Sequence, residues 1–202
     1  MKHYYTKFCT VILLVVLMSL TATQLKAQLL INEGFNTVLP AGWAQQNLST
    51  PAGTNPLWFQ GNATVFPAFS GAATAYAACN FNSIAGAGTI SNWMFTPQVA
   101  LVNGNVISFY ARTTTGDFPD RLELRMSTNG ASVNVGASNT SVGDFTTLLV
   151  SVNPTLSCYY LSYSSVYTLP TEPGKWFRRN LPMAVFSNWR SWFLYEYCRC
   201  NQ

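Results

Sequence analysis

The sequence predicts an all-β protein built as a sandwich of antiparallel strands, and three observations carry that reading. Apolar residues come in short runs, and Gly, Pro and Asn turn signals break them roughly every eight to twelve residues. Arg121 to Ser127 (RLELRMS) alternates polar and apolar side chains, the period-2 pattern of a strand with one buried and one wet face. Beyond the N-terminal leader, no stretch repeats its apolar residues at helical spacing.

The leader comes first. A basic start, Met1 to Lys7, precedes an almost unbroken apolar run from Phe8 to Leu20, and a polar patch then ends in Ala27. A basic start, an apolar centre and a small residue before the cut describe an export signal over residues 1–27, cleaved after Ala27. The run is shorter than the ~20 residues needed to span a bilayer, and no later segment is long and apolar enough to do so. Cys9 sits at the start of the apolar run, badly placed for a lipid-anchored cysteine.

Residues 28–154 form the predicted domain. Leu29-Leu30-Ile31 opens a first strand, and Leu39-Pro40-Ala41-Gly42-Trp43 is a turn that delivers a tryptophan. Strands follow over Thr89–Pro97, Val106–Arg112, Arg121–Ser127 and Phe145–Val152. Asn129-Gly130 reads as a hairpin-type turn, while Asn103-Gly104-Asn105 and Thr113–Pro119 read as loops. Trp43, Trp58 and Trp93 are large apolar anchors expected in the core, with a place on a binding face as the alternative, and Phe109, Tyr110, Leu122, Leu124 and Met126 are expected in the core. Arg112 and Arg121 are expected to make surface pairs with Asp117 and Asp120, interactions that contribute little.

Charge narrows the function classes. Residues 28–154 hold three Arg, no Lys and five acids, a net of −2, while residues 155–202 hold five basic and two acidic residues, a net of +3. The body has no basic face of the kind a nucleic-acid binder shows. The sole histidine, His3, falls in the leader, which removes Ser-His-Asp and Cys-His catalysis and every His-ligated metal site from the exported chain.

Six segments in order resemble one known family. They are "LLINEGFNTVLPAGWAQQN", "NPLWFQG", "SGAATAYAACNF", "TISNWMFTPQVAL", "NVISFYARTTTGDFPDRLELRMSTNG" and "GDFTTLLVSVNP". They carry Glu33-x-Phe35, the Pro40-x-Gly42-Trp43 turn, Trp58-Phe59 before Gly61, Asn92-Trp93 with Pro97, Phe109-Tyr110-x-Arg112, and Leu122-Glu123-Leu124 leading to Ser127. Over residues 29–154 the chain resembles the cleaved-adhesin and choice-of-anchor J domains of Bacteroidetes surface proteins. That resemblance implies a jelly-roll β-sandwich similar to galactose-binding-like modules, and a role in adhesion or in carbohydrate or protein binding, often as an accessory domain. It also implies a structural calcium ion held by the N-terminal acidic segment and a C-terminal Asp-rich strand. Glu33 and Asn36 are the candidate ligands, but Asn36 stands where the family often has Glu and the C-terminal Asp is absent, so the expectation is no cofactor, with Glu33 a solvated strand-end carboxylate and a structural calcium the alternative.

The tail, residues 155–202, departs from that pattern. It holds Cys158, Cys198, Cys200 and three of the six Trp, and no period-2 strand is obvious in it. The expected reading is an out-of-frame translation from near residue 155, with a genuine lineage-specific C-terminus as the alternative. The sandwich would then lack its last strands and carry raw sheet edges.

Other candidate sites are few. Cys198-x-Cys200 with Cys158 lacks the C-x-x-C spacing and any histidine, so it does not read as a zinc site. Disulfides fit an exported protein, but Cys79, Cys158, Cys198 and Cys200 allow three pairings and the sequence does not choose among them. Asp117, Asp120 and Glu123 form the acidic cluster that a glycosidase would need, yet Arg121 and Arg125 stand beside them to neutralise it. Asn47-Leu48-Ser49, Asn62-Ala63-Thr64 and Asn139-Thr140-Ser141 match the glycosylation pattern, as the composition alone produces. The sequence thus predicts an exported, non-catalytic module with a glycan or an extracellular host or matrix protein as its ligand. The alternatives are an accessory domain separated from a secreted hydrolase, and a non-functional fragment.

Overall fold

A computed structural model describes residues 29–114 and 120–156 in full, together with the backbone of residues 162–168, 179–181 and 183–189. The chain divides into two units, Met1–Asn32 and Glu33–Gln202. In the first, residues 29–32 form no strand, so the strand expected at Leu29-Leu30-Ile31 is absent, and Leu29 is exposed.

In the second unit the strands are β1 (Ala44–Asn47), β2 (Phe59–Gln60), β3 (Ala77–Ala78), β4 (Ile90–Phe95), β5 (Val99–Leu101), β6 (Val106–Arg112), β7 (Leu122–Met126), β8 (Thr147–Val152), β9 (Ser162–Thr168), β10 (Arg179–Leu181) and β11 (Met183–Trp189). A single 3-10 turn, Phe81–Ser83, is the only helical element among the described residues. The main sheet has the order β1-β4-β11-β7-β8, and two-stranded ladders join β2 to β3, β5 to β10 and β6 to β9, all antiparallel. The predicted all-β sandwich is therefore the fold. The tail, in which no strand was evident from the sequence, contributes three strands. One of them, β11, lies between β4 and β7 with Val185 opposite both Met94 and Leu124.

β4 is buried along its whole length. Alternation sends Ser91, Trp93 and Phe95 to one face and Ile90, Asn92 and Met94 to the other. On the first face Trp93 and Phe95 meet Phe145 and Val135, with ring centroids of Phe145 5.6 Å from Trp93 and 5.4 Å from Phe95. Burying each of these large side chains contributes roughly 1.5–3 kcal/mol. On the other face Asn92 Nδ2 donates to Ser83 Oγ at 2.6 Å and Asn47 Nδ2 donates to the Ser83 carbonyl at 3.1 Å. Ser83 is brought there by the 3-10 turn, whose N-cap Asn80 accepts from Asn82 N–H at 3.0 Å.

The segment 127–146 supplies Phe145 and Val135 to this core, and this changes two expectations. Asn129 begins a turn closed by Ser132 N–H on its carbonyl at 3.1 Å, but it is not a hairpin turn, because the partner strand starts only at Thr147. Nor is the polar face of β7 wet. Leu124 and Met126 are buried as predicted, and Glu123 opposite them is only 5 % exposed. Of the three tryptophans, Trp93 is fully buried, whereas Trp43 and Trp58 are half-buried.

The Pro40–Trp43 turn forms as read. Trp43 N–H donates to the Pro40 carbonyl at 3.0 Å and Gly42 sits at φ +80°, the position of a type II turn that favours glycine. Trp43 then meets the edge of Phe35, with centroids 5.2 Å apart.

Candidate functional site

The site grows from the alternation of β6. Ile107, Phe109 and Ala111 turn inward, and Val106, Ser108, Tyr110 and Arg112 turn outward. Tyr110, expected in the core, is therefore 57 % exposed. The Ser108 and Arg112 that share its parity are the sequence signal for this, since a polar pair two residues to either side marks the wet face.

A second element meets this face. The chain between β2 and β3 forms a closed loop, tied at its base by the Phe59–Ala78 and Gln60–Ala77 pairs and by Gly61 N–H on the Tyr76 carbonyl at 2.8 Å. Tyr76 locks it further: its hydroxyl donates to the Asn62 carbonyl and accepts from Asn62 N–H, both at 2.9 Å. A Cβ on Gly61 would lie 2.3 Å from the Tyr76 ring, so only glycine fits beneath it. Gln60 ties the loop to the preceding turn, accepting from Val38 N–H at 2.8 Å and donating to the carbonyls of Phe35 and Thr74 at 2.9 and 2.5 Å.

This loop presents two phenylalanines to β6. Phe69, itself 69 % exposed, stacks on Tyr110 with centroids 3.5 Å apart and planes 12° from parallel. Phe66 stacks on Tyr76 at 4.9 Å, and the Arg112 guanidinium lies 4.9 Å above the Phe66 ring. A cation over a ring face is held by the ring quadrupole, an interaction of roughly 0.5–1 kcal/mol at exposed sites. Arg112 thus rests on a ring, and the carboxylate pair expected for it does not occur among the described residues. The result is two stacked ring pairs, Phe69 and Tyr110 exposed and Phe66 and Tyr76 half-buried, with a guanidinium over Phe66. Phe66, Phe69 and Tyr76 were not predicted from sequence, because their loop of Ala, Gly, Ser and Thr has no periodicity to interpret.

The acidic candidates fall elsewhere. Asp117 lies outside the described residues. Glu123 is clamped by Arg121 Nε at 3.1 Å from one oxygen and Arg125 Nε at 2.7 Å from the other, so Arg121 pairs with Glu123 and not with Asp120. Both Glu123 oxygens face guanidinium groups, an arrangement that orders the strand and leaves no oxygen directed at a substrate. Burial pushes the Asp120 carboxyl up to about 8. Asp144, which the sequence did not single out, accepts from Ser132 Oγ at 2.6 Å, Asn129 Nδ2 at 2.7 Å and Asn134 Nδ2 at 3.3 Å. The Ser132 and Asn129 hydrogen bonds hold its carboxyl below the usual carboxylate value.

Glu33 and Asn36 lie on the turn before Pro40. Glu33 Oε1 accepts from Phe35 N–H at 2.6 Å, and Asn36 is exposed. Calcium takes six to eight oxygens. Among the described residues no group of three or more His, Cys, Asp and Glu comes together, so these two side chains do not by themselves complete a calcium site. Cys79 is half-buried, and Cys158, Cys198 and Cys200 lie outside the described residues. The Asn47 and Asn62 side chains of the glycosylation-like triplets serve local turns, accepting from Ser49 N–H at 2.8 Å and Thr64 N–H at 3.0 Å. Among the described residues no helix is long and apolar enough to cross a membrane.

No protein-family model matches the chain, and no curated protein matches it. Among solved structures it is similar to the K1 cleaved adhesin domain of Lys-gingipain from Porphyromonas gingivalis W83, with a TM-score of 0.51 at 16 % identity over 81 % of this chain and 90 % of that one. The K3 cleaved adhesin domain of the same protein gives a TM-score of 0.48 at 16 % identity, over 79 % and 89 % of the two chains. The K1 likeness shows the fold alone: a β-sandwich similar to that domain.

Proposed function

We propose that this chain is an exported, non-catalytic binding module that works outside the cell or at its surface and attaches to a glycan or an extracellular protein. The observation that carries this reading is the exposed Phe69–Tyr110 stack between the β2–β3 loop and β6, set on a β-sandwich similar to the K1 cleaved adhesin domain. Apolar ring faces left in water carry an unfavourable hydration free energy, and a partner that covers them recovers it. The basic-apolar leader over residues 1–27 supports export. The ordered motifs from Glu33 to Ser127 support kinship with choice-of-anchor J domains.

The acidic residues support the absence of catalysis. A glycosidase needs two carboxyl groups across a substrate bond, and Glu123 is instead held between two arginines. The reading is tested by presenting the purified exported chain to a polysaccharide array and a panel of matrix proteins. Saturable binding to either class is expected. A folded chain that binds neither would remove the adhesion reading.

A further inference from the structure

We propose that the Phe69–Tyr110 stack is a sugar platform that takes a neutral pyranose residue, its C–H face against a ring and its hydroxyls turned to the Arg112 guanidinium. This rests on the binding-module reading and names the ligand class and the place.

Four features argue for it. First, the stack is flat and stands out from the surface. Phe69 and Tyr110 are 69 % and 57 % exposed, with planes only 12° from parallel. Protein hot spots are desolvated pockets ringed by contacts that exclude water, whereas a raised slab suits a flat ring laid across it. Second, the negative face of an aromatic ring attracts positively polarised hydrogens, and the axial C–H groups on one side of a pyranose supply them. Third, polar partners lie beside the slab. Ser108 and Arg112 each stand two residues from Tyr110 on the same outward face, about 6.6 Å along the strand. A guanidinium offers five N–H donors in a fixed plane, and this one rests 4.9 Å above the Phe66 ring. Fourth, the platform is pre-built. Phe69 and Tyr110 already stack on each other at 3.5 Å, and beside them Tyr76, pinned by two hydrogen bonds to Asn62, backs the Phe66 ring under Arg112, so less ordering cost is left to the ligand.

Charge decides against the other flat ligand. Bases of nucleic acids also stack on such rings, but their binding draws on a basic groove, and residues 28–202 are nearly neutral, with eight basic residues against seven acids.

The experiment uses the full exported chain on immobilised neutral polysaccharides, namely a β-glucan, a galactan and a mannan, with matrix proteins alongside and methyl pyranosides as competitors. Wild type is expected to bind at least one polysaccharide and to be displaced by its methyl glycoside. Phe69→Ala and Tyr110→Ala should each weaken binding about tenfold, the factor that 1.4 kcal/mol of stacking represents, and Tyr110→Phe should retain it. Saturation-transfer NMR on the wild type, irradiating aromatic protons, should mark the C–H protons of one pyranose face without any variant. Polysaccharide binding that both alanine variants leave unchanged, or the absence of transfer from the rings, overturns the platform and leaves the module reading standing. Binding confined to proteins overturns the ligand class alone. A folded chain that binds nothing ends both readings.

Discussion

Arg125 Nε lies 2.7 Å from Glu123 Oε2, two residues along the same face of β7, while Arg125 Nη1 donates to the Phe145 carbonyl at 3.3 Å. The arginine thus links a buried carboxylate to the segment that closes the aromatic core. Glu123 has a side chain only 6 % exposed, and its arginine partners are 20 % and 16 % exposed. Removing the anion leaves two largely covered guanidinium groups facing each other. Glu123→Gln is therefore expected to lower stability by about 3 kcal/mol in urea unfolding, near the lower end for breaking a buried pair. Replacing all three residues together with Met or Leu should cost much less, because no charge is then left without a partner. Equal losses in the two proteins would refute this account.

Asp120 sets a pH dependence of unusual sign. Its carboxyl ionises near 3.8 in the unfolded chain and near 8 in the folded one, raised by burial. Between those values the folded state keeps a proton that the unfolded state has released, so stability falls as pH rises from about 4 to about 8 and then levels off. Asp120→Asn should flatten that slope and make the protein more stable than wild type at pH 8. Asp144 acts in the opposite sense. Its folded-state value is lowered by the Ser132 and Asn129 hydrogen bonds, so its contribution is present above 3.8 and lost as pH falls through the lowered value. Thermal melts of Asp120→Asn across pH 4–9 with an unchanged slope would contradict the assignment.

What the sequence made legible follows from periodicity. β4, β6, β7 and β8 fall within their predicted runs because short apolar runs between turn signals, or in β7 a strict polar–apolar alternation, mean strand. Faces were harder. VISFYAR contains four large apolar residues, and placing Tyr110 inside with Phe109 ignored the fact that neighbours on a strand point opposite ways. The polar side of β7 read as wet because nothing in residues 127–146 announces that it folds back over Trp93. That segment has no period, and its hold comes from Asp144 and from Phe145 packing far along the chain. The Phe69–Tyr110 stack joins a loop to a strand across 41 positions, a contact that no local pattern encodes. The three tail strands escaped because their pairing is entirely long-range, with β11 aligned against β4 and β7.

Gly61 carries a sharper consequence than its place in a small-residue loop suggests. A Cβ there would lie 2.3–2.6 Å from three atoms of the Tyr76 ring, a ring already fixed by two hydrogen bonds to Asn62 and by its stack on Phe66. Gly61→Ala must displace that ring, and overpacking of this kind costs about 1–3 kcal/mol. The displacement should also disturb Phe66 beneath Arg112. The expected outcome is a lowered melting temperature together with changed aromatic chemical shifts for Phe66. A variant that melts like wild type with unchanged shifts would show that Tyr76 has room the structure does not give it.

Cutting the chain after Asn153 separates β8 from β9 and removes β10 and β11 as well. The main sheet then loses the strand between β4 and β7, and the ladder of six Cα partners from Ala184 opposite Phe95 to Trp189 opposite Ile90 goes with it. Both neighbouring strands would present unpaired N–H and C=O groups in the middle of the sheet, where β4 is buried on both faces. Unsatisfied buried backbone groups cost ~1–3 kcal/mol each, and a bare central edge invites pairing between chains. A chain ending at residue 153 should therefore be insoluble or oligomeric by size-exclusion chromatography, whereas the chain that keeps residues 154–202 should run as a folded species with a cooperative melt. A soluble, cooperatively melting truncated chain would mean that β4 and β7 close on each other and that β11 is dispensable. That outcome would favour the out-of-frame reading of residues 155–202, since a sandwich that needs nothing from them gives no reason for their sequence to have been shaped to the fold.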